Sequence, residues 1–337
     1  MNRHLQDILK GVSRSFYLSI RILPPALRDP VGIAYLFCRT ADTIADTDLV
    51  PVSERLQQLR EFREEVLPFD KLPPNSRRAS RANGQEPFVL SLSKHVTPVD
   101  GVFQDPEERL LQAMDRIFFV YHSFAPAIQK IIADLVTELT QGMEMDLKFF
   151  GENGKGAGPR VLPDAASLDR YTYYVAGVVG KFWTAILMEL EPRCRGLDRE
   201  QMTAWGIRYG KGLQLINILR DLPRDLRRGR CYLPADELAA AGLVPAQLMN
   251  GAPPSGFDAI YDHWWQRARG YLEDGRRYVE ALPRSLFRVR KATALPLRLG
   301  FSTLDLLKNN PRVLDPRVVI KIPRWKVYAS LLSLMRE

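Results

Sequence analysis

The 337-residue chain has no apolar run near the ~20 residues that a bilayer-spanning helix needs. Its first ten residues lack the apolar centre of a signal peptide, so a cytoplasmic protein is expected. Cysteine is scarce: Cys38, Cys194 and Cys231 lie far apart, and no metal-ligand spacing joins them. An odd, dispersed set argues against a disulfide framework and fits a reducing compartment. Alternating strand patterns flanked by hairpin turns are scarce too, which argues against a β-rich fold. The formal net charge of +9 comes with no paired Cys/His finger and no RRM-type aromatic platform. No nucleic-acid partner is therefore expected. A polyanionic small substrate and an anionic membrane surface suit that charge equally. The stretch from Gly154 to Gly158 is not G-x-G-x-x-G and follows no strand, which removes a Rossmann dinucleotide site.

What is present is enough for an ordered core, with 46% hydrophobic and 26% charged residues. Segments 31–45, 107–122, 125–150, 167–190, 198–222 and 257–281 have helical length and period. Ser53, ahead of Glu54, Leu56 and Leu59, reads as a capped helix start. The expectation is an all-α protein: one domain over 1–337, folded as a helical bundle. Residues 72–105, rich in Pro, Ser, Arg and Gly, are expected to form a mobile loop or insertion within it. Breaks at 151–163 and 251–256 read as links between helices. The stretch 318–335 mixes apolar residues with Lys321, Arg324 and Lys326, leaving a peripheral membrane contact open. Nothing in the sequence reports an oligomeric state.

Two acidic segments carry the functional argument. In the first, Arg39, Asp42 and Asp46 are spaced three then four. In the second, Gln214, Asn217 and Asp221 repeat that spacing, and Asp225 adds another four. Residues three and four apart share a helix face, and two carboxylates there repel by a few tenths of a kcal/mol. A divalent cation relieves that repulsion. Mg²⁺ prefers oxygen ligands and is commonly held by one or two carboxylates plus substrate phosphates. Two such helices facing each other could clamp a diphosphate through metals. The competing reading of either set alone is an ordinary solvated face with ion pairs.

Four stretches in this order resemble the squalene/phytoene synthase family of head-to-head prenyl synthases. They are Ser13-Arg14-Ser15-Phe16, CRTADTIAD from Cys38 to Asp46, YTYYVAGVVG from Tyr171 to Gly180, and GLQLINILRDLPRD from Gly212 to Asp225 followed by GRCYLP. The resemblance covers most of the chain outside 72–105 and implies an isoprenoid-synthase helical bundle around a central apolar cavity. It implies that Asp42, Asp46, Asn217, Asp221 and Asp225 hold Mg²⁺, with Gln214 in support. Ser13, Arg39 and Arg230 would bind diphosphate oxygens. Tyr171 would act near the reacting carbons. Val175, Val179, Gly180, Gly210 and Leu213 would line a tunnel for the prenyl chains. Read without the resemblance, Ser13 could cap the following helix, Tyr171 could be a core tyrosine, and Val175 and Val179 are ordinary buried-helix positions.

Two departures bear on these roles. Thr43 stands where phytoene-type members carry a second Asp, as in the squalene-forming branch, whereas GMEMD (142–146) resembles the phytoene branch. Pro223, between Asp221 and Asp225, is expected to bend or end the helix and leave the direction of Asp225 open. The reaction implied is condensation of two farnesyl diphosphates to presqualene diphosphate, then reduction by NADPH to squalene. Phytoene, dehydrosqualene, presqualene diphosphate and hydroxysqualene are the alternative products. An inactive family-fold partner subunit is the non-enzyme alternative, and the intact aspartate sets argue against it. The basic stretch 318–326 loosely resembles the segment near the reductant site of squalene synthases.

Overall fold

The computed structural model describes residues 2–13, 16–47, 49–67, 105–151, 158–323, 325–327, 329 and 333. The loop expected at 72–105 lies outside these residues except for Asp105, as do Arg14, Ser15, most of GKGAG and Arg324. The described chain is all-α apart from one two-residue strand pair. None of its helices is long and apolar enough to cross a membrane. It clusters into two compact units, Met1–Leu147 with Ala185–Arg195, and Lys148–Thr184 with Gly196–Glu337.

The first unit contains α1 (Arg3–Val12), α2 (Phe16–Ile22), α3 (Pro25–Asp46), α4 (Val52–Val66), α5 (Pro106–Gln112), α6 (Met114–His122) and most of α7 (Pro126–Phe150). Helix α3 buries Ile33, Leu36, Phe37, Thr40, Ala41 and Ile44, the three–four stripe that an amphipathic helix turns inward. Phe37 anchors the core, with ring centroids 5.7 Å from Phe62, 5.0 Å from Phe118 and 5.3 Å from Tyr121. Such aromatic pairs add about 0.5–1.5 kcal/mol each beyond their burial. The Tyr121 hydroxyl donates to the Val66 carbonyl at 2.7 Å, tying α6 to the end of α4. Two expectations shift here. Helix α4 starts at Val52 behind Pro51, so Ser53 lies inside its first turn and is not the cap. The segment 107–122 is two helices, broken where Ala113 leaves helical geometry with ψ near 5°.

The second unit contains β1 (Arg160–Val161), α8 (Ala165–Thr172), a π-helical turn (Tyr173–Gly177), α9 (Val178–Leu190, of which 178–184 belong here), α10 (Arg199–Arg227), β2 (Arg230–Cys231), α11 (Ala235–Ala240), α12 (Phe257–Ala281) and α13 (Phe287–Leu307). Asp164 and Asp198 cap α8 and α10, accepting from Ser167 N at 2.7 Å and Gln201 N at 3.0 Å. The break expected at 151–163 contains β1, which pairs in parallel with β2 and brings Arg160 opposite Arg230.

Glycines set how closely α9 and α10 approach. A Cβ on Gly180 would stand 1.9 Å from the Gly206 carbonyl oxygen, and one on Gly210 would stand 2.3 Å from that of Ala176. Backbone meets backbone at both places. Helix α10 also runs unbroken through Pro223, against the expectation of a bend or stop. Proline lacks the N–H that would satisfy the carbonyl four residues back, that of Leu219. The phenol of Tyr261 on α12 donates to that carbonyl at 3.4 Å. An outside donor thus replaces the missing one, and the helix continues to Arg227.

Candidate active site

The first acidic set ends α3. Asp42 and Asp46 occupy its last two turns, with no basic residue in the final one. Carboxylates at a helix C-terminus meet the negative end of the macrodipole, an unfavourable placement worth about 0.3–1 kcal/mol that a cation reverses. The Asp42 side chain keeps nearly half of its accessible surface but is closely surrounded by protein, and this burial, with smaller repulsion from Asp46 and Glu107, raises its pKa to about 7. Burial is the main cause. Arg39, 3.6 Å away, opposes it. Asp46 itself is exposed.

Arg39 does more than accompany Asp42. Its guanidinium also pairs with Glu107 on α5, and the Thr43 hydroxyl donates to the Arg39 carbonyl at 3.0 Å while lying 3.4 Å from Glu107. Glu107 was not singled out by sequence. It follows a long intervening segment, so no spacing along the chain links it to Asp42. Thr43 therefore faces this third carboxylate. Ser13 is buried and is the C-cap residue of α1, not the cap of the helix that follows. It adjoins Tyr35, whose phenol pKa is raised by burial and lowered in part by the Ser13 hydroxyl and by Arg39.

The second set ends α10. Gln214 accepts from Asn217 Nδ2 at 3.3 Å, confirming the shared face that their spacing implies. Asp221 is gripped by Arg220 through both oxygens, at 2.9 and 2.6 Å, so a cation at Asp221 must compete with that guanidinium. Because α10 continues past Pro223, Asp225 lies one turn beyond Asp221. Burial first, then repulsion by Asp221, raises its pKa to about 6, while Arg230, Arg224 and Arg228 pull it down. Arg230 on β2 thus sits within electrostatic reach of this set.

The same unit holds the aromatic and glycine residues. Tyr171 is buried, and its ring stacks on Tyr232 with centroids 4.6 Å apart. Tyr232 in turn meets Phe150 edge-on at 5.2 Å. The motif after Tyr171 is where the helix widens into the π turn Tyr173–Gly177, a form found mostly as single turns at functional sites. Val175 is half-buried, whereas Val179 is 40% exposed, so the two do not share one environment. Gly180 and Gly210 are helix-contact glycines first, and Leu213 is half-buried near Gly300 of α13.

A test of fit follows from these donors. No group of three or more His, Cys, Asp or Glu poised to hold a metal occurs among the described residues. Each set supplies two carboxylates with at least one pKa raised by burial and by repulsion from the other, which is the arrangement a hard dication relieves when substrate oxygens complete its shell. The residues therefore fit Mg²⁺ bound together with diphosphate, not a cage built from protein alone.

The described chain is thus all-α, with an aspartate pair near the end of each of two long helices and a π turn in the tyrosine–glycine helix. The squalene/phytoene synthase family model matches residues 9–326, and the chain belongs to that family of prenyltransferases. It is 31% identical over 260 residues to the presqualene diphosphate synthase of Zymomonas mobilis, covering 77% of this chain and 69% of that one. It is 28% identical to the squalene synthase of Eremothecium gossypii, covering 94% of this chain and 64% of that longer one. The solved structure of TcSQS with the ligand E5700 superposes with a TM-score of 0.72 at 23% identity, over 98% of this chain and 84% of that one, which supports the fold.

Proposed function

We propose that this chain condenses two farnesyl diphosphates head to head, with Mg²⁺, to presqualene diphosphate and then, with NADPH, to squalene. The observation that carries the reading is the pair of helix-terminal aspartate sets, each with a carboxylate whose pKa is raised by burial and by its aspartate neighbour, inside a chain matched by the family almost end to end. The reading treats 1–337 as one functional domain, since the family match runs through both units.

Asp42 and Asp46 on α3, and Asn217, Asp221 and Asp225 on α10, would hold Mg²⁺ against the diphosphates. Bound there, the metal supplies charge neutralisation for a leaving diphosphate. Arg39 and Arg230 would donate to diphosphate oxygens, which suits arginine because its fork stays charged and gives several bonds. Ser13 would add a hydroxyl. Loss of diphosphate from one substrate leaves an allylic cation, which the double bond of the second captures. Proton loss then closes the cyclopropane of presqualene diphosphate. Tyr171, held by its stack on Tyr232, would accept that proton or stabilise the cation through its ring. Val175, Val179, Gly180, Gly210 and Leu213 would border the prenyl chains in a dry cavity, since water would trap the cation as an alcohol. A second ionisation rearranges the skeleton, and a hydride donor ends it as squalene. The basic stretch 318–326 is the assignment offered for NADPH.

A second reading stops at presqualene diphosphate, and the name of the Zymomonas relative favours it. Replacement of Asp42 by Ala tests both readings at the metal step. Loss of at least 100-fold in turnover at saturating Mg²⁺, with an unchanged far-UV spectrum, is expected if this carboxylate holds the metal, as such losses accompany removal of electrostatic groups in active sites (roughly 10²–10³). Unchanged turnover would refute the assignment.

A further inference from the structure

On the second unit, the C-terminal half of α12 and the N-terminal half of α13 enclose a cleft of about 540 Å³ that none of the proposed catalytic residues lines. Its lining is of two kinds. Val279, Ala294 and Leu297 present apolar surface, and Phe287 stands at the start of α13 with 57% of its surface exposed. Between Arg276 and Phe301 the chain carries seven basic residues and one acidic one, Glu280. Five of the seven line the cleft. This stretch alone supplies most of the chain's net charge of +9.

The cations are placed, not scattered. Arg290 Nη1 donates to the carbonyls of Val279 at 2.7 Å and Leu282 at 2.5 Å, so its charge is fixed at the corner between the helices. The Lys291 ammonium lies 5.7 Å from the centre of the Phe287 ring, and the Arg276 guanidinium lies over Phe301 at 5.1 Å. Cation and aromatic ring therefore meet at two places along the rim, at the exposed Phe287 and the half-buried Phe301. Arg298 donates to Ser333 at 3.1 Å, which brings the C-terminal stretch beside the cleft. That stretch exposes Trp325 by 65%, with Lys326 against its ring.

We propose that this cleft and its rim dock the protein on a bilayer containing anionic phospholipid. Headgroup phosphates would meet the arginines and lysines, and Phe287 would enter the boundary between headgroups and acyl chains. Charge complementarity sets the sign of the partner. The apolar lining and exposed rings favour a lipid surface over a nucleic acid, whose binding tracks phosphates along a polar groove. Aromatic rings with flanking cations are the side chains that settle at a membrane interface, and each basic residue near an anionic leaflet adds a similar increment of attraction. A polyisoprenoid hydrocarbon product is insoluble in water, so a docked enzyme would release it where it dissolves. The docking argument itself does not depend on which product forms.

The test is sedimentation of the full chain with vesicles of phosphatidylcholine alone or with added phosphatidylglycerol. Binding to the anionic vesicles only is expected, weakening with salt. Arg284→Gln with Lys291→Gln should weaken the partition about 30-fold, and Phe287→Ser about 10-fold. Lys130→Gln with Arg195→Gln, which removes the same charge from the other unit, should change it less than threefold. Thermal unfolding of each variant checks that it folds. Equal binding to neutral vesicles would overturn the proposal. So would an equal loss in the Lys130/Arg195 pair, retention of binding by all the cleft variants, or displacement from vesicles by single-stranded RNA at equimolar concentration.

Discussion

Replacing Gly180 by Ala separates two explanations of that glycine. In the structure its Cα lies against the Gly206 backbone, and an added methyl would stand 1.9 Å from the Gly206 oxygen and 2.3 Å from its carbonyl carbon. Neither atom belongs to a side chain that can rotate away. Helices α9 and α10 must part by over an ångström, which also strains the contact between Gly210 and Ala176 one turn along. Overpacking of this kind costs about 1–3 kcal/mol, and more where backbone is struck. Alanine's better helix propensity returns about 1 kcal/mol. A net loss of about 2 kcal/mol lowers Tm by about 3 °C in a 337-residue chain. Gly270, on α12 with nothing within 4 Å of an added Cβ, is the internal control. Its alanine variant should gain about 1 °C from propensity alone. Calorimetry of the two variants beside wild type gives the answer. A Gly180→Ala protein as stable as wild type, with altered products only, would refute the close-approach reasoning and leave the glycine as tunnel lining.

Other consequences can be checked in the same laboratory. With no divalent cation, Asp42 at about 7 and Asp225 at about 6 are raised above the 3.8 of a free aspartate. A raised folded-state pKa means that the folded protein binds the proton more tightly, so this stability is present in full below the unfolded value and lost as pH rises through 6 to 7. Metal-free protein should therefore show a Tm that falls between about pH 4 and pH 7, less steeply in Asp42→Asn and Asp225→Asn, and recovering at pH 8 with Mg²⁺ plus diphosphate. A profile unaffected by either substitution would contradict it. Tyr171→Phe keeps the stack on Tyr232, so it should fold normally and lose about 10²-fold in turnover if the hydroxyl handles the proton. Wild-type rates would assign that task elsewhere. Tyr261→Phe removes the donor to the Leu219 carbonyl and should cost about 1 kcal/mol in a denaturant titration, with a larger rise in KM for diphosphate substrate than a remote core variant gives.

The helical character of the chain was legible because it rests on periodicity. Segment 257–281 matches α12 end for end, and 198–222 lies within α10 except for Asp198, which is the N-cap of that helix. What escaped the sequence depends on partners distant along the chain. Pro223 reads locally as a breaker, and only the phenol of Tyr261, brought in by α12, explains why α10 continues. Helix α13, with Pro296 in its interior, was not among the expected segments for the same local reason. The π turn at Tyr173–Gly177 changes no periodicity strongly enough to be seen in one sequence. The aspartate spacings were visible as shared faces. Glu107 joined Arg39 and Thr43 only once α5 was placed, and the grip of Arg220 on Asp221 depends on rotamers that spacing does not encode.

The most direct test of the account is incubation of the purified chain with farnesyl diphosphate and Mg²⁺, with and without NADPH, followed by identification of the products. Presqualene diphosphate without NADPH, and squalene only with it, is the predicted result. Presqualene diphosphate under both conditions would leave the second reading standing. No coupled product from farnesyl diphosphate, or a coupled product from geranylgeranyl diphosphate alone, would contradict the proposed function.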